Sequence, residues 1–497
     1  MTPTSRTSLL LVWACFLVRG CWYTAALPLW EGFDEYAHFA VLQHWIAAPS
    51  LPAVDNGVSR EIAESLRLAP LPWELRYLGP PYLTHEEWWA LPRAEREARK
   101  NALSSMPREW AREPAPDFLA SYEAQQPPLY YWICALPFRA AQSLSLTARV
   151  LLIRLLSVAM ASLAIPLTFL AASLLFPAGR ISIGCTAVIA VMPGFLFDTC
   201  RVGNDSLAVA IFAGLLLALI ARRSAVAVGV LLGLGLLTKA YFLTAIPAVV
   251  ILMLVRRAPW RSWLAILGLP AAIAGWWYAR AWLTTGSISG WSEAANLRGL
   301  PLAELFYRAA ALSWLHAVDA IFNSYLWFGG WSFLTLRSWM YRIFAALFLY
   351  AAVRAVLGFR RDLLPAALIF CWFSIGMAYN VVVTFSNHGI SASTGWYFYA
   401  VLPASILLVA RRDVLLTAAL AFAALDLYSM NIVALPYYTG LLAHRAGGGI
   451  PAFHLDQFTA QLPATLSRIS VPVSIAWAMW IFYLAATITP VALARRK

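Results

Sequence analysis

Asp34 and Glu35 stand side by side in Pro28-Leu29-Trp30-Glu31-Gly32-Phe33-Asp34-Glu35-Tyr36-Ala37-His38, just past the first hydrophobic run of the chain. Carboxylates beside a hydrocarbon boundary are costly unless they are paired or used. An ionised carboxylate in such a place can serve as a general base and take a proton from an attacking hydroxyl. The competing reading is a solvated acidic cap at the end of a membrane helix. His38 follows Asp34 by four residues, so on a helix the two share a face. There the imidazole either orients the base or makes a structural hydrogen bond.

Sparse polar residues recur at the ends of later apolar runs. Glu123, Gln126 and Tyr130 belong to Tyr122-Glu123-Ala124-Gln125-Gln126-Pro127-Pro128-Leu129-Tyr130-Tyr131, and Arg201 and Asp205 to Arg201-Val202-Gly203-Asn204-Asp205. Lys239 ends Gly235-Leu236-Leu237-Thr238-Lys239; Arg280, Asn387-His388 and Trp396-Tyr397-Phe398-Tyr399 come later. Lys239, Arg201 and Arg280 suit an anionic group, against the alternatives of a snorkelling lysine and of arginines resting on lipid headgroups. Asp205 reads equally as an assisting or metal-binding carboxylate and as the N-cap of the next helix. Glu123 and Gln126 either reach a substrate or cap the helix after the two prolines. Tyr397 and its neighbours read as an aromatic belt or as a sugar platform. Asp34, Glu35, His38, Asp205 and His388 have ligand chemistry for a divalent cation, but their spacing matches no local metal motif and HExxH is absent, so the expected site holds no metal or other cofactor.

Those residues must be positioned by elements of one kind. Of 497 residues, 61% are hydrophobic and 12% charged, with a mean hydropathy of +0.68. A soluble chain carries about a quarter charged residues, so an all-α polytopic membrane protein is expected. The net charge of +13 comes in short clusters between apolar runs, a pattern that sets topology and does not describe a nucleic-acid surface. The cysteines lie mostly in apolar stretches without CxxC spacing and read as packing residues. A retained first helix over 1–27, interrupted by Arg19, is expected in place of a cleaved signal. Placing every basic cluster in the cytoplasm predicts about twelve spans with both termini inside: 8–27, 149–176, 181–200, 205–221, 225–239, 241–255, 262–284, 339–357, 363–385, 396–410, 414–433 and 472–492. Residues 225–255 are short for two crossings, which predicts a hairpin with Lys239 at its apex; the alternative is a single long helix, which would invert everything downstream. An extracytoplasmic loop, 28–148, then carries the acidic pair. Within it Thr84-His85-Glu86-Glu87 has capping-box spacing, Glu86–Met106 reads as one amphipathic helix on the bilayer, and 129–146 as a re-entrant or interfacial helix. The main bundle is 149–433; 434–471 forms an outer loop, with His444 and Gly447-Gly448-Gly449 as a flexible stretch, and 472–497 a last helix with a basic tail.

The ordered set of motifs resembles the GT-C superfamily of lipid-carrier-dependent glycosyltransferases. It comprises the Asp-Glu after the first span, Gln126-Pro127-Pro128-Leu129-Tyr130-Tyr131, Asn204-Asp205 after the third span, Gly235 to Lys239, and the late Gly395-Trp396-Tyr397. Over roughly residues 1–410 the chain looks like relatives of the protein O-mannosyltransferases and aminoarabinose transferases. It has Gln126-Pro127-Pro128-Leu129-Tyr130-Tyr131 where the mannosyltransferases carry His-Pro-Pro-Leu-Gly-Lys, and it lacks their soluble insertion. The resemblance implies a polyprenyl-phosphate-sugar donor, a lipid, glycan or protein acceptor, and a site on the extracytoplasmic face of the plasma (inner) membrane. It implies inverting transfer with Asp34 as base, while Glu35 positions the acceptor or orients a cation. The other functional classes are a transporter or flippase of a lipid-linked substrate, and a ligase or polymerase of lipid-linked glycans. Against the transporter, the polar residues gather on one side and no internal repeat is evident.

Overall fold

The computed structural model describes residues 3–495 except 49, 178, 298, 390–392, 446–448, 452–453 and 470. The side chains of Asn387 and His388, Gly447, Gly448 and the basic pair Arg496-Lys497 lie outside the described residues. Helix dominates; among the described residues extended pairing is limited to two isolated bridges, Ser59–Pro114 and Leu71–Thr84. All six cysteines are free.

The helices of the first half are α1 (Pro3–Ala26), α2 (Glu35–Ala47), α3 (Arg60–Leu68), α4 (His85–Ala90), α5 (Arg93–Ser104), α6 (Leu129–Ala140) and α7 (Leu146–Ser162). They are followed by α8 (Ala164–Leu175), α9 (Gly179–Val191), α10 (Pro193–Thr199), α11 (Asp205–Ile220), α12 (Ala225–Leu236) and α13 (Ala245–Val255). Among the described residues seven helices are long and apolar enough to cross a membrane: Thr4–Ala26, Leu146–Leu175, Trp260–Thr285, Ser338–Leu357, Arg361–Ser386, Arg412–Tyr438 and Val473–Arg495. The pair α9 and α10 makes an eighth when counted as one span bent by 62°. The bend falls where Pro193 starts α10 and supplies no amide donor. The chain is a multi-pass membrane protein. Each segment predicted to span coincides with a helix or helix pair, but four of them are short: Asp205–Ile220, Ala225–Leu236, Ala240–Val255 and Gly395–Leu408.

A buried ion pair ties the bundle together. Arg19 of α1 lies 2.6 Å from Asp426, and neither side chain is exposed. Asp426 also accepts from the hydroxyls of Tyr23, Tyr483 (2.8 Å) and Thr487 (3.2 Å). Arg19 donates further to Thr487 Oγ1 and to the carbonyls of Ala190 and Val191 at the end of α9. Arg19 therefore does not weaken the first helix; it bolts that helix to Arg412–Tyr438 and Val473–Arg495.

The segment 28–148 departs from expectation in two places, and the loop 434–471 in one. The capping box at Thr84 forms, with Glu87 Oε2 accepting the Thr84 amide at 2.8 Å, but the chain breaks at Leu91-Pro92 into α4 and α5. Proline removes a donor and disfavours helix in the residue before it. The tryptophans face inward: Trp88 is buried and Trp89 Nε1 donates to the Tyr438 carbonyl at 2.9 Å, so this is not one helix resting on lipid. His444 is not on a loose loop, because its Nδ1 meets Glu86 Oε1 at 2.8 Å and its ring stacks on Trp73 at 4.2 Å. The helix expected over 129–146 is α6, ending at Ala140. It buries Tyr130, Tyr131, Cys134 and Phe138 and exposes Trp132, Ile133 and Leu136. Two apolar faces, one inside and one outside, fit an interfacial helix.

Candidate functional site

The site grows from the loop that leaves α1. Trp30 and Asp34 adopt left-handed backbone, at φ 65° and 56°, which is unfavourable for residues with a Cβ. Gly32 lies between them, and a Cβ there would come within 2.5 Å of Arg201 Cβ. Asp34 occupies the N-cap position of α2, yet its side chain makes no capping bond. The carboxylate is turned away from its own helix and accepts from Tyr122 Oη at 2.7 Å. It is only partly buried.

Glu35 has the opposite environment although it is the next residue. Its side chain is 0% exposed. Oε1 accepts from Arg154 Nε at 2.7 Å and the Val202 amide at 3.0 Å, and Oε2 from Arg154 Nη2 at 2.5 Å. Arg154 also holds the carbonyls of Leu27 and Pro28, both at 2.7 Å. Glu35 is thus the clamp that fixes the loop to α7 and to the segment before α11.

Around the loop lies an ion-pair network. Asp205, the first residue of α11, accepts from Lys239 Nζ at 2.6 Å and Tyr241 Oη at 3.1 Å through Oδ1, and from Arg201 Nη2 at 2.6 Å through Oδ2. It is not the N-cap; Asn204 holds that position, and its amide binds Gln126 Oε1 (3.1 Å) and the Thr238 carbonyl (2.9 Å). Arg201 also donates to Asp198 Oδ1 at 2.9 Å and to the carbonyl of Phe33, next to Asp34, at 2.9 Å. Four of its five N–H donors are taken up by the protein. Lys239 sits where α12 has stopped, in extended backbone with φ −158°. Its ammonium lies 5.4 Å and 5.5 Å from the ring centroids of Tyr241 and Tyr397. An ammonium has three donors, and the protein hydrogen-bonds one of them, to Asp205.

Among the described residues His38 pairs with Tyr131 and Glu123 and not with Asp34. Nδ1 meets Tyr131 Oη at 2.7 Å, and Nε2 is 3.7 Å from Glu123 Oε2. That Glu123 oxygen is buried without a hydrogen-bond partner. Tyr130 is enclosed, bonded to Ser157 Oγ and the Gly203 amide, and Gln126 holds Asn204, so both brace the network. Arg280 stands apart: it donates to the Pro52 carbonyl at 2.9 Å and packs on Trp277. Trp396 is buried against Phe33 (4.6 Å) and Phe328 (4.5 Å), so it supports the acidic loop and is not part of a lipid-facing belt. Among the described residues no three His, Cys, Asp or Glu side chains gather at metal-binding distance.

Electrostatics separate the groups further. Burial raises the Asp34 carboxyl to about 6, partly offset by Tyr122, Arg201 and Lys239. Burial and then the charge of Asp34 push Glu123 up to about 8. His38 is held well below its usual range by burial and by the two nearby cations. Near neutral pH this leaves an ionised Asp34, a protonated Glu123 and a neutral imidazole.

Sequence reasoning gave no role to Tyr122, Tyr131, Asp198 or Tyr241. The Asp198, Arg201 and Asp205 spacing of three and four was a usable signal, although in the structure the three residues meet across the break between α10 and α11. The tyrosines carried none, because their partners are 88 to 93 residues away for Tyr122 and Tyr131.

No family model matches the chain, and no curated protein matches it. Among solved structures it is similar to ArnT from Cupriavidus metallidurans bound to undecaprenyl phosphate, at 14% identity over 92% of this chain and 75% of that one, with a TM-score of 0.41. It is also similar to the archaeal oligosaccharyltransferase AglB from Archaeoglobus fulgidus in complex with an inhibitory peptide and a dolichol-phosphate, at 13% identity over 97% of this chain and 56% of that one, with a TM-score of 0.37. At that level of likeness the chemistry has to be read from this chain's own residues.

Proposed function

We propose that the protein is a membrane glycosyltransferase that moves a sugar from a polyprenyl-phosphate donor to an acceptor hydroxyl at the extracytoplasmic face, with inversion. The observation that carries this reading is the split of Asp34 from Glu35: one carboxylate is clamped, while its neighbour is partly open, titrates near 6 and stands beside a cationic network. The ordered motifs of the sequence support the same reading.

The chemistry follows from the roles left open. The acceptor oxygen attacks the anomeric carbon and gives its proton to Asp34, whose raised affinity for protons suits a general base. As the new glycosidic bond forms, the bond from the anomeric carbon to the phosphate oxygen breaks, and the lipid phosphate leaves with the electron pair. A single displacement through an oxocarbenium-like state inverts that centre. Lys239 has donors remaining for the departing phosphate, whereas Arg201, Glu35 and Asp205 hold the lysine and the base in place. Tyr397 and Tyr241 wall the ammonium and offer a face for the sugar.

The test is sugar transfer by purified protein in nanodiscs from a labelled panel of polyprenyl-phosphate sugars, with Asp34→Asn and Lys239→Ala beside the wild type. Transfer that collapses in folded Asp34→Asn supports the base. Failure to cleave any donor, together with movement of the intact lipid across the bilayer, would remove the transferase and leave a flippase.

A further inference from the structure

A cavity of about 500 Å3 opens where the end of α2, the end of α6, the start of α7 and residues 108–113 meet. It is large enough for a small ligand or headgroup. Gln43 and Glu35 lie on the same helix eight residues apart, so α2 separates this cavity from the acidic loop by about 12 Å along its axis. Arg149 lines it and is 2% exposed. One of its terminal nitrogens is taken by Glu61, and its plane lies over the Phe138 ring. Its Nε–H is buried and has no acceptor among the described residues. A buried donor left unpaired is costly, and an arriving anion would satisfy it.

The mouth is also cationic. Glu113 is occupied by Arg60 at 2.9 Å. Arg112 makes a 3.5 Å contact with Gln142 Oε1. Arg108 is exposed and, like Glu109, forms no salt bridge among the described residues. Two arginines therefore face one unpaired carboxylate at the rim, above the unsatisfied Arg149. α6 ends and α7 begins at the cavity, and both helices carry exposed apolar residues: Trp132, Ile133 and Leu136 of α6, and Leu151 and Leu155 of α7. Apolar helix faces that end at an arginine-lined cavity define the level of lipid headgroups.

The geometry points to a second binding site, for the phosphate-bearing headgroup of an anionic membrane lipid. The phosphate sits among Arg108, Arg112 and the Nε–H of Arg149, and the acyl chains run along the exposed faces of α6 and α7. The site is independent of the transfer reaction, and its test needs no turnover.

The test is titration of the purified full chain in detergent with short-chain phosphatidylglycerol, with phosphatidylcholine of the same chain length, and with inorganic phosphate. The charge-reversed Arg108→Glu/Arg112→Glu protein and the single Arg108→Ala protein are run in parallel. Wild type is expected to prefer phosphatidylglycerol over phosphatidylcholine, and charge reversal to weaken that binding on the order of tenfold or more with an unchanged melting temperature. Arg108→Ala, at a residue with no side-chain hydrogen bond or ion pair among the described residues, moves in the same direction by less. Equal phosphatidylglycerol affinity in wild type and both variants would overturn the site. Inorganic phosphate binding as tightly as the lipid would overturn the lipid as its source and leave a free-anion site.

Discussion

Two buried charge clusters in this protein use similar residues to opposite ends. Arg19 and Asp426 face each other inside the bundle, and Tyr23, Tyr483, Thr487 and two helix-end carbonyls complete their hydrogen bonds. The cluster around Asp34 instead combines Arg201, Asp205 and Lys239 with a partly open carboxylate and with a Glu123 oxygen that has no partner. The first is closed and the second incomplete. Saturation is what a strut needs, and leftover donors and acceptors are what a substrate needs. Charge and burial alone do not distinguish the two; the hydrogen-bond inventory does.

The contrast is broken most sharply by two isosteric changes. Asp34→Asn removes the base and is expected to lower transfer by about 10²–10⁴-fold, measured as initial rates on folded protein. The same variant should melt at or above the wild-type temperature near neutral pH, since the fold disfavours the ionised Asp34 carboxyl. Asp426→Asn should do the reverse: about 3–5 kcal/mol of stability is lost by leaving Arg19 buried without its counter-ion, seen as a lower melting temperature in nanodiscs. Activity per folded molecule should survive. A stable, active Asp426→Asn protein would end the assignment of that cluster as a strut.

Next in size is the acidic limb of the pH profile. The folded Asp34 carboxyl titrates at about 6, so activity should rise with pH through that value. The sign for stability is opposite: a carboxyl raised above its unfolded value of about 3.9 binds its proton more tightly in the native state, so stability falls as pH rises from about 4 to about 6. Asp34→Asn should flatten that slope in thermal melts. Glu123→Gln removes the group held at about 8 and should abolish any activity change near that pH while leaving the limb at about 6. The smallest effect belongs to His444→Ala, which removes the imidazole's contact with Glu86 while the backbone amide bond remains, and should cost about 1 kcal/mol, read as a modest shift in melting temperature with transfer unaffected.

The sequence made the helices legible because an apolar run of some 20 residues has few alternatives in a bilayer. The positions of Asp34, Lys239 and Asp205 could be read for a related reason: polar residues at the ends of such runs are rare enough to stand out. Their partners were not readable. Glu35 and Asp34 look interchangeable as letters, and only the approach of Arg154 from α7 makes one a clamp. Trp88, Trp89 and Trp396 look like interfacial residues by type, but tertiary packing turns them inward. The break at Pro92 was signalled by the proline itself.

The interruption between α12 and the turn that follows has one more consequence. A helix that stops early exposes carbonyls, and here other segments take them: Tyr278 Oη binds Leu236, the Leu129 amide binds Leu237 and Asn204 Nδ2 binds Thr238. The Leu129 proton is therefore bonded outside its own helix. Its exchange with deuterium reports when this junction opens, and slow exchange there would mean that substrate reaches Lys239 through movement of some other wall of the site.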